Sequence, residues 1–377
     1  MTKTKKISFL QVDHHLDDDR VWHHQSKLLK DNNFDISVIS TRTDSSDLEN
    51  VFCFDDMKMK KTDVCKKISK IFNQIEPNII ICDNPLAVYF ASRYKKKYHQ
   101  KTKIVMDVTE WYPSKKNLAH LIGFKRFIKK IILKCLNFYT GFLVDGFIFG
   151  EYHKAKSFKK YFKKKRHIDL PYYPDLKYIS QGKAKNDFST WNFLYSGQLT
   201  KEKGSDNLFN AIKFIALENR SCNFILNIIS NNASNEKYTS KKIEIPDNVK
   251  IKIQSYLPFE KYCNEIANYD IFFDLREKDK ENNHCLPIKL FYYMACGRPI
   301  IFSDLEAINL QVAEINEFAY LTNPDDFTNI SRAVTTYITN KDKYYEHSAA
   351  ALKYSKEKYN WEMLSDKFLK FIVDVLD

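Results

Sequence analysis

Glycine is the residue this chain most conspicuously lacks, with 8 in 377 positions. That scarcity argues against several Gly-rich phosphate loops, and no Gly-x-Gly-x-x-Gly fingerprint follows the first predicted strand. No run of eighteen apolar residues occurs, so no transmembrane helix is expected. The eight cysteines (53, 65, 82, 135, 222, 263, 285 and 296) include no Cys-x-x-Cys pair. Their scatter excludes the usual zinc site or disulfide framework and suggests a reducing, cytoplasmic setting. Residues 1–6 lead straight into a predicted strand, so no signal peptide is expected, and no internal repeat is apparent.

Aromatic residues are plentiful, with 28 Phe and 23 Tyr. The composition, 44% hydrophobic and 28% charged, is globular, and the length allows two domains with separate cores. The net charge of +13 is concentrated in one place. Residues 115–166 carry fifteen lysines and arginines against Asp145 and Glu151 alone, an excess equal to that of the whole chain. Such a local basic face implies an anionic partner: a membrane surface, a nucleic acid or an acidic substrate. No nucleic-acid-binding module is recognisable, so nucleic acid ranks last.

Strands and helices alternate along the chain. Residues 7–12, 35–40, 78–82, 103–107 and 146–150 read as strands, with helices at 21–30, 63–74, 85–97, 117–138 and 152–161. The polar, Gly182-containing stretch 177–189 reads as a linker. A second series follows, with strands at 191–195, 222–229, 249–253, 270–274 and 300–302. Between the last two lies Pro287-Ile-Lys-Leu-Phe-Tyr-Tyr-Met-Ala-Cys-Gly-Arg-Pro-Ile-Ile301. Pro287 suits a first helical turn, Gly297 a left-handed C-cap, and Pro299 a stop. A helix N-terminus beside strand ends in an α/β sheet is a natural phosphate site.

That run resembles the donor-site segment of family-4-type glycosyltransferases of the GT-B fold. Other fragments resemble the same family in the same order. They are Asp18-Asp-Arg-Val21 after the first strand, Asp107-Val-Thr-Glu-Trp-Tyr-Pro113, Ser196-Gly-Gln-Leu with Lys203-Gly204, and Ser255-Tyr-Leu-Pro-Phe-Glu260. Four departures stand out. Tyr292 occupies the position of the glutamate that binds the donor ribose, and His284 that of its partner acid. Gln198 replaces an arginine, and Thr109 a common histidine.

The resemblance implies an α/β protein with two Rossmann-like domains whose parallel sheets face across a cleft. An acceptor-side domain would span 1–176 and a nucleotide-sugar domain 190–358, with a helix at 359–377 crossing back. The implied enzyme is a retaining, hexosyltransferase-like glycosyltransferase with no cofactor and no obligatory metal. Its partners would be a nucleotide sugar and a glycan or lipid-linked acceptor, in surface polysaccharide or glycoconjugate synthesis. Gly197, Lys203, Gly204, Lys289, Leu290 and Tyr292 are the expected donor-binding residues. The leaving diphosphate calls for positive charge, which Lys203 and Lys289 would supply.

An acceptor hydroxyl calls for a proton acceptor, for which Glu110 stands first and His15 second. Glu110 is alternatively a helix cap. The histidines and aspartates of 13–19 lack the spacing of a helical metal pair and read better as a solvated loop. The absent carboxylates leave a second possibility, a GT-B shell that binds without catalysing. For 115–166 there are two readings: ordinary helices with their apolar side buried, or a peripheral contact with the inner membrane face.

Overall fold

The structure is a computed structural model, which describes residues 4–12, 16, 18–42, 48–109, 112–230 and 244–377. The chain divides into two compact units, Met1–Pro171 with Leu364–Asp377, and Tyr172–Met363.

The first unit is built on a seven-stranded sheet. Its strands are β1 (Lys6–Gln11), β2 (Asp35–Ser40), β3 (Val51–Cys53), β4 (Ile79–Cys82), β5 (Lys103–Val108), β6 (Gly146–Phe149) and β7 (Arg166–Asp169). Their spatial order is β3-β2-β1-β4-β5-β6-β7, and every pairing is parallel. Parallel strands need crossover helices on both faces, which explains why β4 and β6 are wholly buried and apolar on both sides. The helix Pro85–Lys97 starts as its sequence dictates. Asn84 Oδ1 accepts from the N–H groups of Leu86 and Ala87, and Pro85 fills the first turn. The C-terminal helix Glu362–Leu376 contributes buried Phe368, Ile372 and Val375, and Phe371 lies against Gly146.

The stretch read as one helix over 117–138 is two: Lys115–Leu118, then Gly123–Leu143. The longer helix does not bury its apolar side as an ordinary domain helix would. Within it only Leu133, Thr140 and Gly141 are buried.

The second unit holds a six-stranded sheet. Its strands are β8 (Thr190–Ser196), β9 (Asn223–Ile229), β10 (Val249–Gln254), β11 (Ile271–Asp274), β12 (Ile300–Ser303) and β13 (Ala319–Thr322). The order is β10-β9-β8-β11-β12-β13, again all parallel. The stretch expected to be a linker packs here: Gly182 N–H donates to Cys296 O, and Lys185 pairs with Asp270 at 2.9 Å. Two apolar clusters cover the sheet. One surrounds Phe272, Tyr293 and Phe302, and the other Trp191, Phe193 and Tyr344.

Candidate functional site

The direction of chain progression in the second sheet reverses between β8 and β11. At such a switch point open α/β sheets place their ligands, beyond the carboxyl ends of the strands. β8 delivers Ser196 and Gly197 to that place, and β11 delivers Asp274. Gly197 lies at φ +133, and a Cβ there would sit 3.0 Å from Lys289 Nζ. The positive φ favours glycine here, and the lysine ammonium lies close against its backbone.

The loop after β8 turns back at Gly204, φ +81, which is the N-cap of helix Ser205–Glu218. A Cβ at Gly204 would lie 2.0 Å from Leu275 O, so the loops after β8 and β11 touch through backbone. Asn207 Nδ2 donates to the same Leu275 O at 3.1 Å. Tyr195 OH donates to Gln198 O and Lys203 O at 2.8 and 3.2 Å, tying both ends of this loop to the strand it leaves. Lys203 itself is 39% exposed and has Glu202 3.9 Å away.

Lys289 comes from the opposite direction, on the helix Ile288–Ala295. Pro287 caps its start and Gly297, at φ +68, follows its end. Lys289 Nζ donates to Ser196 O, pairs with Asp274 at 3.1 Å and lies 4.9 Å above the Tyr195 ring. Arg276 grips both oxygens of Asp274, at 2.9 and 2.5 Å, while its own carbonyl accepts from Ser303 Oγ at 2.7 Å. Burial by itself would raise the Asp274 pKa. The guanidinium and then the ammonium reverse this and hold the carboxyl well below the usual range. Burial lowers the Lys289 pKa, and Asp274 partly opposes it. Two cations thus share one buried anion, and Lys203 with Glu202 beside it stands on the adjoining loop, so three cations face two acids. This local excess suits a diphosphate, whose charge it would neutralise.

Gly197, Lys203, Gly204 and Lys289, singled out from the sequence, therefore lie about this switch point. Leu290 and Tyr292 share the helix but not the exposure. Leu290 is wholly buried, and Tyr292 is 4% exposed, with its ring packed among Phe259 and Tyr262. Next to it, Tyr293 OH hydrogen-bonds Ser196 Oγ at 2.8 Å and its ring stacks on Phe272 at 4.2 Å. His284 Nε2 lies 3.4 Å from a Glu306 carboxylate oxygen, so an acid from the helix Glu306–Gln311, which follows β12, stands beside the histidine. Asp274 and Arg276 escaped the sequence reading. The available signal was an acid closing an otherwise apolar strand, Ile-Phe-Phe-Asp, with an arginine two residues on.

The first sheet has its own switch point, between β1 and β4. A cavity of about 400 Å³ lies at these strand ends, with Val12, Asp83, Asn84, Thr109, Lys129 and Leu133 among its lining. Glu110 and His15 lie outside the described residues. Thr109 O accepts from Lys154 Nζ at 2.5 Å, and that buried lysine also pairs with Glu151 at 3.0 Å. Arg20, from the Asp-x-Arg-Val motif, is buried and grips both oxygens of Asp107 at 2.7 and 3.0 Å. It also donates to Leu170 O. Gln25 adds a third donor to Asp107. Arg20 and Asp107 thus tie the helix that follows β1 to the ends of β5 and β7.

Solved structures share this architecture at low sequence identity. A sucrose-phosphate synthase from Thermosynechococcus elongatus superposes with a TM-score of 0.71 at 12% identity, covering 98% of this chain and 99% of its own. Anabaena HepE, solved in complex with UDP-glucose, gives 0.69 at 12%, again over 98% and 99%. The lipopolysaccharide outer core galactosyltransferase WaaB gives 0.63 at 14% over the same shares. No curated protein sequence matches the chain. The family model "Glycosyl transferases group 1" matches residues 181–372, which take in the β8–β11 switch point and more than half of the sequence. The chain therefore belongs to the group 1 glycosyl transferases, the family-4 retaining glycosyltransferases of the GT-B fold.

Proposed function

We propose that the second unit binds a nucleotide sugar with its diphosphate at Gly197, Lys203 and Lys289. The reading rests on the cation excess at the β8–β11 switch point. In the transfer, the bond between the sugar C1 and the diphosphate oxygen breaks and C1 bonds to the acceptor hydroxyl oxygen. Negative charge then grows on the diphosphate, where Lys203 and Lys289 stabilise it. The hydroxyl proton goes to Glu110, with His15 the second candidate. A sugar joined to UDP is the first donor to try, because HepE was solved with UDP-glucose.

The acceptor is a glycan or a lipid-linked saccharide, held at the cavity of the first unit, and the product belongs to surface polysaccharide or glycoconjugate synthesis. WaaB, named for lipopolysaccharide core transfer, supports that acceptor class. The enzyme works in the cytoplasm, drawn to the inner membrane face by the charge of residues 115–166. No helix among the described residues is long and apolar enough to cross a membrane.

The test is a nucleotide-sugar panel read by thermal shift, since a ligand held only by the folded chain raises its melting temperature. Binding should fall by about 10–150-fold in Lys203→Ala, the loss of one charge-assisted phosphate contact. Glu110→Gln should bind the donor normally and turn over about 10²–10⁴-fold more slowly. If no nucleotide sugar stabilises the chain, the donor reading fails and the non-catalytic shell takes its place.

A further inference from the structure

The helix Gly123–Leu143 presents an apolar stripe to water. Phe124, Phe127, Ile128, Ile131, Ile132, Phe138, Tyr139 and Phe142 recur at intervals of three and four residues, which puts them on one side of the helix. All eight are exposed, Phe124 by 74%, Phe127 by 60% and Phe142 by 61%, and Ile122 just ahead of them by 88%. An apolar side of this length on a soluble surface calls for a non-aqueous partner.

The charges narrow the choice of partner. Lys125 and Lys129 run along one edge of the stripe, and Lys130 and Lys134 along the other. Lys156, Lys160, Lys163, Lys164 and Arg166 are exposed on the segment that follows. The helix contains no acid. Its other end is anchored, because Phe138 packs on Tyr161 and Phe162 at 5.3 and 5.2 Å, and Phe142 on Phe162 at 5.1 Å. Its first ten residues are all exposed.

A second copy of the chain fits poorly, because pairing two such faces opposes two clusters of like charge. A nucleic acid fits poorly too, since three isoleucines in the stripe have no use in phosphate contact. An apolar stripe flanked on both edges by long basic side chains is the pattern of a helix lying in a lipid interface. There the rings and aliphatic chains enter the acyl boundary and the lysines reach up to anionic headgroups.

We infer that the helix Gly123–Leu143 inserts its apolar stripe into an anionic lipid surface. This deepens the membrane contact proposed above: the attachment is hydrophobic as well as electrostatic. It also bears on the acceptor, because Lys129 and Leu133 of this same helix line the first unit's cavity. A helix lying in the lipid brings that cavity to the headgroup level, where the sugar of a lipid-linked acceptor resides.

The experiment is cosedimentation of the full chain with vesicles of neutral lipid alone, or with about 30% anionic lipid. Low salt and about 0.5 M salt are compared. The wild type should bind the anionic vesicles and keep a measurable part of that binding at high salt, because insertion is not screened. The triple variant Phe124→Ser, Phe127→Ser, Ile131→Ser should partition about a hundredfold more weakly at both salts. All three side chains are exposed, so the variant should fold normally. Lys125→Glu with Lys129→Glu and Lys130→Glu should remove the preference for anionic lipid. In Phe127→Trp, vesicles should shift the new fluorescence to the blue.

Equal binding by the wild type and the triple variant would overturn the inference, as would no binding to anionic vesicles. Light scattering that shows self-association, abolished by the triple variant, with no vesicle binding would assign the stripe to a second copy instead. Nucleoside diphosphate titration of the same proteins reads the donor site independently, so failure there leaves the membrane result standing.

Discussion

Replacing Lys289 and Arg276 in turn by methionine separates two roles that meet at Asp274. The carboxylate is 1% exposed and has both cations as partners. Lys289→Met removes the 3.1 Å ion pair and the hydrogen bond to Ser196 O, but leaves both Arg276 contacts on Asp274 in place. The buried anion is not orphaned, so the expected loss of stability is about 1–2 kcal/mol. Arg276→Met removes the bidentate partner and leaves Asp274 with one ammonium that is itself 24% exposed. Breaking a buried pair on one side typically costs about 3–5 kcal/mol. Urea unfolding should therefore rank Arg276→Met well below Lys289→Met. Nucleoside diphosphate affinity, measured by calorimetry on the folded proteins, should fall by about 10–150-fold in Lys289→Met, the value of one charge-assisted contact. Equal destabilisation by the two variants would refute the division of labour at Asp274. Unchanged affinity in Lys289→Met would make that lysine a structural residue only.

Two further outcomes follow from local geometry. Gly204→Ala forces a Cβ to 2.0 Å from Leu275 O at a left-handed backbone position. It should lose about 3 kcal/mol or more in thermal unfolding, whereas wild-type stability would mean that the two loops can part freely. His347 is buried and hydrogen-bonds Tyr337 OH at 2.8 Å, and burial, with Lys343 nearby, lowers its pKa to about 4. Above its unfolded value of about 6.5, both states hold the neutral ring and the native contribution is complete. As pH falls from there toward 4, the unfolded chain takes up a proton that the folded chain refuses, and stability drops by about 3 kcal/mol. Urea titrations of the wild type at successive pH values should show this slope, and His347→Gln should flatten it.

Local chemistry made much of the fold legible in the sequence. The strand Asp35–Ser40 and the helices Pro85–Lys97 and Tyr152–Tyr161 run where caps and apolar spacing put them. Pro287 and Gly297 bracket the donor-side helix as read. What escaped depended on distant pairing. Residues 177–189 look like a solvated linker by composition, yet Lys185 is drawn into the second unit by Asp270, 85 positions away. Arg276 looks like one more charge in a polar loop. Only the placement of β11 beside β8 brings its partner Asp274 up to Ser196 and Lys289. The exposure of the stripe in Gly123–Leu143 was equally hidden, because periodicity shows that a helix has an apolar side and not what covers it.

The return of residues 364–377 to the first unit has a consequence for how the protein is made. A ribosome releases the chain from its N-terminus, so Phe368, Phe371, Ile372 and Val375 emerge only after the whole of Tyr172–Met363. At about 5–20 residues per second, roughly 10–40 s separate the emergence of Pro171 from that of the helix that finishes its unit. During that interval the surface around Gly146 that Phe371 will cover stays open to water. The second unit has every residue it needs before the first does, so the unit begun last can be completed first. The nascent chain then carries the exposed, basic, aromatic helix Gly123–Leu143 on an unfinished support.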